Sequence, residues 1–143
     1  MTNEPFFSEN APEPVGAYPH ARRAGPFLFL SGVGPRQRGK KDIPGVRQSS
    51  SGEIVDYDIE IQARSTIENV VTILRDAGLT WNDLVDVSVF LTDMKRDFQA
   101  FNRIYAEYCV EHKPSRTTVE VGALPTPIAV ELKCIAILPS STD

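Results

Sequence analysis

The C-terminal stretch of this chain limits its fold more than any other. It reads Pro114-Ser115-Arg116-Thr117-Thr118-Val119-Glu120-Val121, then Leu124-Pro125, then Ala129-Val130-Glu131-Leu132. Residues 117–121 and 128–136 are rich in Val, Ile and Thr and are joined by a link containing Gly and Pro, which predicts two β-strands. Arg116 opens the first strand. Glu131 lies inside the second, on the face that strand alternation gives to Ile135 and Ile137. A carboxylate among aliphatic side chains is costly to ionise, so its pKa rises unless a partner compensates. An arginine that can bind an anion beside such a carboxyl group is useful equipment for chemistry on a small organic acid.

The rest of the chain completes an alternating order. The first dozen residues, with Pro5 and Pro12, predict an extended lead-in. Two short strands follow, Tyr18 to Arg23 and Phe27 to Val33, linked by a turn at Gly25-Pro26. Gly34 to Gly52 is polar, with Ile43 and Val46 as its only long apolar side chains, and is expected to be a loop. A helix starting near Asp58 carries Ile59, Ala63, Ile67, Val70, Val71 and Leu74 on one face and closes at Gly78. Leu84 to Leu91 predicts a strand with valines 85, 87 and 89 on one face. Asp93 is placed to cap a second helix whose buried stripe is Phe98, Phe101, Ile104, Tyr105 and Tyr108. The order β-β-α-β-α-β-β predicts one α+β domain over residues 1–143, with two helices on one face of a mostly antiparallel sheet.

Composition excludes several functions. Hydrophobic residues make up 41% and charged residues 24%, as in ordinary globular domains. The longest apolar run, Cys134 to Leu138, is far too short to span a membrane. The N-terminus shows no secretory signal, and the two cysteines are expected to be free core thiols, so a cytoplasmic location is expected. A net charge of −4 argues against broad affinity for nucleic acid. His20 and His112 have no metal-ligand spacing to Cys109 or Cys134, and no nucleophile elbow or phosphate loop is present. No metal and no cofactor are expected.

Each charged candidate has two readings. Arg116 is either a surface ion pair at a strand end or a fork that grips a carboxylate through two hydrogen bonds. Glu131 is either a sheet-margin carboxylate paired with Lys133 or with a neighbouring chain, or a group that handles water and protons. The loop after Gly34 carries Arg36, Arg38, Lys40, Lys41 and Arg47 against Asp42, five cations less one anion, a net +4 in an acidic protein. That run is either a solvated face or a basic lid.

These residues, in this order, resemble the RidA (YjgF) family of enamine/imine deaminases. Val15-Gly16-Ala17-Tyr18 is similar to the family's first strand, and Phe27 to Gly32, ending in Ser31-Gly32, to its second. Asp97-Phe98-Gln99-Ala100-Phe101-Asn102 with Tyr105 is similar to its second helix. The resemblance implies a RidA-like, chorismate-mutase-like fold. It also implies a homotrimer or a dimer of trimers with sites in the clefts between subunits. By the same likeness, Arg116 holds the substrate carboxylate, and Glu131 places the attacking water and moves protons. Tyr18, Ser31, Gly32 and Asn102 line or support the pocket. Val33, Thr118 and Ala17 depart from the commoner family pattern, and the loop from Gly34 to Gly52 is longer than usual. That loop, with Ser31-Gly32-Val33-Gly34-Pro35, resembles the 2-aminomuconate deaminase branch. The implied reaction is hydrolytic deamination of a carboxylate-bearing enamine, with Arg36, Arg38, Lys40 or Lys41 holding a distal carboxylate. The rivals are a broad 2-aminoacrylate-type deaminase, a non-enzymatic ligand-binding or chaperone-like trimer, and RNA cleavage.

Overall fold

A computed structural model describes residues 2–140. Two helices lie on one face of a six-stranded sheet, and the core sits between them. The strands are β1 (Asn3–Phe6), β2 (Ala21–Ala24), β3 (Phe27–Leu30), β4 (Val46–Gln48), β5 (Ile54–Tyr57), β6 (Leu84–Leu91), β7 (Ser115–Glu120) and β8 (Val130–Ile137). The helices are α1 (Ile59–Asp76) and α2 (Met94–Tyr108). The large sheet runs β1-β2-β3-β8-β6-β7, while β4 and β5 form a separate hairpin. All pairings are antiparallel except β6 with β7, which is parallel. The expected α+β architecture is the one observed.

The local causes are legible. Asp58 caps α1 by accepting from the Glu60 and Ile61 amides at 2.9 and 3.2 Å. Gly78, at φ +82°, ends it by adopting the left-handed conformation that side chains resist. Asp93 caps α2 by accepting from the Arg96 amide at 3.0 Å. On the sheet, Val87, Val89 and Leu91 lie opposite Cys134, Leu132 and Val130, and all six are fully buried beneath the helices. The opposite face of β8 carries Glu131, Lys133, Ile135 and Ile137, none fully buried. No described helix is long and apolar enough to cross a membrane.

Five local expectations are corrected. The lead-in is not merely extended: Asn3–Phe6 forms the outermost strand, with Pro5 tolerated at the sheet edge. Val15 to Tyr18 forms no strand. Tyr18 N donates to Gly16 O at 2.9 Å, a tight turn, and the flanking Pro14 and Pro19 have no amide to give a ladder. The expected loop contains β4, whose hairpin with β5 is so exposed that its apolar alternation is faint. A bulge between Leu84 and Asp86 turns Val85 outward, away from Val87 and Val89. Phe98 is exposed rather than part of the α2 stripe, and its place in the core is taken by Asp97.

Candidate functional site

Arg116 lies on β7 opposite Val87 of β6, which points into the core, so its side chain rises on the helix side of the sheet. Its Nη2 donates to Asn102 Oδ1 at 2.6 Å and its Nε to Thr118 Oγ1 at 2.9 Å. The guanidinium lies near the ring of Tyr105 at 4.7 Å, with Phe101 at 5.2 Å and Phe98 at 5.9 Å. Burial holds its pKa below the usual arginine value, although it stays charged. Among the described residues no carboxylate pairs with it. This is not the surface ion pair of the plainer reading. The side chain is anchored on two sides and lines an open groove of about 650 Å³. The groove lies between α2 and β7, which Met94 N ties together by donating to Glu120 Oε1 at 2.8 Å.

Glu131 lies on β8 opposite Phe90, on the sheet face that the helices do not cover. Desolvation pushes its carboxyl above the usual range. Lys133, two residues on, is not its partner, because Lys133 Nζ donates to the Leu30 carbonyl instead. The neighbour that shapes the Glu131 environment is Gly32. Val33 and Leu132 exchange both backbone hydrogen bonds at 2.8 Å, which sets Gly32 against the carboxylate. A Cβ at Gly32 would lie 2.7 Å from Glu131 Oε2, so only glycine permits this approach.

Tyr18, Ser31, Gly32 and Arg36 line a narrow cavity of about 40 Å³ on the Gly32 side. Ser31 Oγ donates to Pro19 O at 2.7 Å, which leaves its lone pairs as acceptors. Tyr18 OH accepts from Val15 N at 3.3 Å and keeps its own proton to give. Arg36 Nη2 donates to Glu13 O at 2.7 Å. Arg38 donates to Ala11 O at 2.6 Å and pairs with Glu13 Oε1 at 2.8 Å. Two cations of the basic loop therefore clasp the segment around Glu13. Lys40 and Lys41 stand exposed at the turn around Gly39.

The structure thus gathers the expected residues into two groups rather than one. Arg116 and Asn102 belong to the groove on the helix side. Tyr18, Ser31, Gly32 and Arg36 line the small cavity, which Glu131 meets only through its contact with Gly32, and β6 separates β7 from β8. Within one chain the arginine and the carboxylate point to opposite faces of the sheet. Sequence reasoning overlooked Thr118 and Tyr105 as neighbours of the guanidinium. The signals were available: Thr118 is two residues from Arg116 on a strand, and Tyr105 is three residues from Asn102 on a helix. Among the described residues no cluster of His, Cys, Asp and Glu could hold a metal ion.

Comparison with known proteins identifies the family and the fold. Residues 8–138 match the family model described as Endoribonuclease L-PSP. A RutC family protein from Pyrococcus horikoshii is 43% identical over 133 residues, covering 93% of this chain and 96% of its own. The chloroplastic Reactive Intermediate Deaminase A of Arabidopsis thaliana is 34% identical over 138 residues, covering 96% of this chain and 67% of its own. The crystal structure of Escherichia coli TdcF with bound serine superposes with a TM-score of 0.78 at 31% identity, covering 94% of this chain and 99% of that one. The chain, by sequence and by fold, belongs to the Endoribonuclease L-PSP family, the RidA/YjgF group.

Proposed function

We propose that this protein is a hydrolytic enamine/imine deaminase acting on 2-aminomuconate, with 4-oxalocrotonate and ammonia as products. The observation that carries the reading is the Glu131 carboxyl, half-buried beside Gly32 and biased toward its protonated form by desolvation. In its ionised form, such a group accepts a proton from water and returns it to a leaving amine. Because Arg116 faces away from Glu131 in one chain, the working site joins the groove of one subunit to the Gly32 region of another. The half-buried outer face of β8, with Ile135 and Ile137, is suited to such a neighbour in a trimer or a dimer of trimers.

The enamine tautomerises to the imine, whose carbon is electrophilic. Arg116 holds the adjacent carboxylate and fixes that carbon in place. The imine nitrogen takes a proton from solvent, and Glu131 of the partner subunit takes a proton from water as the water oxygen bonds to the imine carbon. Glu131 returns its proton to the nitrogen, the carbon–nitrogen bond breaks to release ammonia, and the hydroxyl gives its proton to solvent as the carbonyl forms. One water is consumed and one ammonia released. The net positive charge of the loop after Gly34 supports a substrate with a second anionic end.

One observation favours a second reading. Arg36 and Arg38 are already engaged by Ala11 and Glu13, which fits a broad deaminase of 2-aminoacrylate-type enamines that needs no distal cation. The test follows the absorbance of freshly generated 2-aminomuconate while ammonia is assayed in parallel. Decay that needs Arg116 and Glu131, with ammonia matched to 4-oxalocrotonate, supports the first reading. Activity confined to enamines made from serine or threonine supports the second. No turnover of either, with carboxylate binding retained, would assign the protein to ligand binding alone.

A further inference from the structure

The groove beside Arg116 holds a second cation that the reaction above leaves unused. Lys113 lines it with Phe98, Tyr105, Ala106 and Pro114. Resting on the deaminase reading, we propose that Lys113 is the specificity-determining residue for a dianionic substrate. Arg116 takes the carboxylate next to the reacting carbon, and Lys113 takes the carboxylate at the other end of a short, flat, unsaturated chain.

Three observations place the lysine in this role. First, the link that carries it is pinned on both sides. His112 Nε2 hydrogen-bonds the Leu84 carbonyl at 2.6 Å, and Ser115 Oγ donates to Asp86 Oδ1 at 2.6 Å. The backbone at Lys113 is fixed while its side chain remains exposed, so a flexible ammonium stands at the edge of the groove. Second, none of the ion pairs among the described residues involves Lys113, whereas the guanidiniums of Arg36 and Arg38 are both bonded to the segment around Glu13. Third, aromatic and apolar side chains flank Arg116 and Lys113. Phe98, exposed at the groove, and Pro114 offer apolar surface to a conjugated chain, and no carboxylate lines the groove to repel a dianion. A point-charge ammonium tolerates variation in where the distal carboxylate lies, while the forked guanidinium holds the proximal one in register.

The test is equilibrium binding of two non-reacting probes with the same carbon skeleton. Hexa-2,4-dienedioate carries two carboxylates and hexa-2,4-dienoate carries one. Wild type should prefer the dienedioate by about tenfold or more, the value expected of one charge-assisted contact. Lys113→Met should bring that ratio close to one, and Lys113→Arg should restore most of it. A Lys40→Met/Lys41→Met variant should keep the wild-type ratio. The proposal is overturned if wild type shows no preference, if Lys113→Met keeps the preference, or if the loop variant alone abolishes it. Binding needs no turnover, so the two ideas separate. Dienedioate selectivity through Lys113 without ammonia release from 2-aminomuconate would overturn the reaction and keep the subsite.

Discussion

The groove side and the Gly32 side of the sheet hold their charged groups in opposite ways. Arg116 is restrained by hydrogen bonds to Asn102 and Thr118 and by the ring of Tyr105, yet it lines an open groove. Glu131 is instead pressed against Gly32, and desolvation alone pushes its carboxyl up. One side holds a fixed charge; the other holds a carboxyl that desolvation makes harder to ionise. In the proposed reaction, binding and proton transfer are different tasks that fall to residues on different faces of the sheet. That reaction then requires two copies to bring them together.

Mixing inactive variants is the most severe test of that division. Arg116→Ala and Glu131→Gln should each lower turnover by about 10²- to 10⁴-fold, the range for losing a positioned acid–base group or its substrate anchor. Co-refolded in equal amounts, they should regain about a quarter of wild-type activity, because a quarter of the interfaces in a randomly mixed ring join an intact arginine to an intact glutamate. A mixture as inactive as its components would show that the site closes within one chain.

Gly32→Ala sharpens the comparison from the carboxylate side. The new methyl would lie 2.7 Å from Glu131 Oε2, so the carboxylate must move. Turnover should fall by about 10- to 100-fold, in keeping with the cost of displacing a reacting group by around an ångström. Carboxylate binding at Arg116, on the other face, should change little. Equal losses in both would mean that the faces are coupled.

These assignments were only partly visible in the sequence. Arg116 and Glu131 stood out because each interrupts a strand pattern with a charge, and alternation along a strand is a local property. Their opposite facing was hidden because it depends on strand order: β7 pairs with β6, not with β8, and no local pattern reports a parallel partner chosen from elsewhere in the chain. Val85 was misread for a similar reason, since a single bulge residue reverses the parity of everything before it. The helices were legible to their caps. Asp97 was not, because a carboxyl with 0% exposure, accepting from Tyr57 OH at 2.6 Å, can be explained only once β5 is known to pack beside α2.

The pH dependence of stability separates the two faces again. A carboxyl whose folded pKa is raised contributes stability below the unfolded value and loses it as pH climbs through the folded one. Glu131→Gln should therefore match wild type near about pH 4 and exceed it in urea unfolding near about pH 8, where wild type must ionise a desolvated group. A gap that stays flat with pH would mean that a cation meets Glu131 in the assembled protein. Arg116 of a neighbouring subunit is the group that the two-copy site would bring there.

The smallest effect should come from the segment that borders the Gly32 region. Glu13 pairs with Arg38 at 2.8 Å, but their side chains are 73% and 37% exposed, so water and salt screen the attraction. Two neighbouring contacts use backbone acceptors: Arg36 bonds the Glu13 carbonyl and Arg38 the Ala11 carbonyl. Glu13→Gln leaves both in place and should cost less than about 1 kcal/mol, with the difference vanishing in added salt. If the loss is this small, the loop is held by its hydrogen bonds to the main chain and the Gly32 region keeps its shape at any ionic strength. A larger, salt-sensitive loss with a matching fall in turnover would mean that the segment is held electrostatically. The Gly32 side would then be adjustable, while the groove side, anchored through Asn102 and Thr118, would stay fixed.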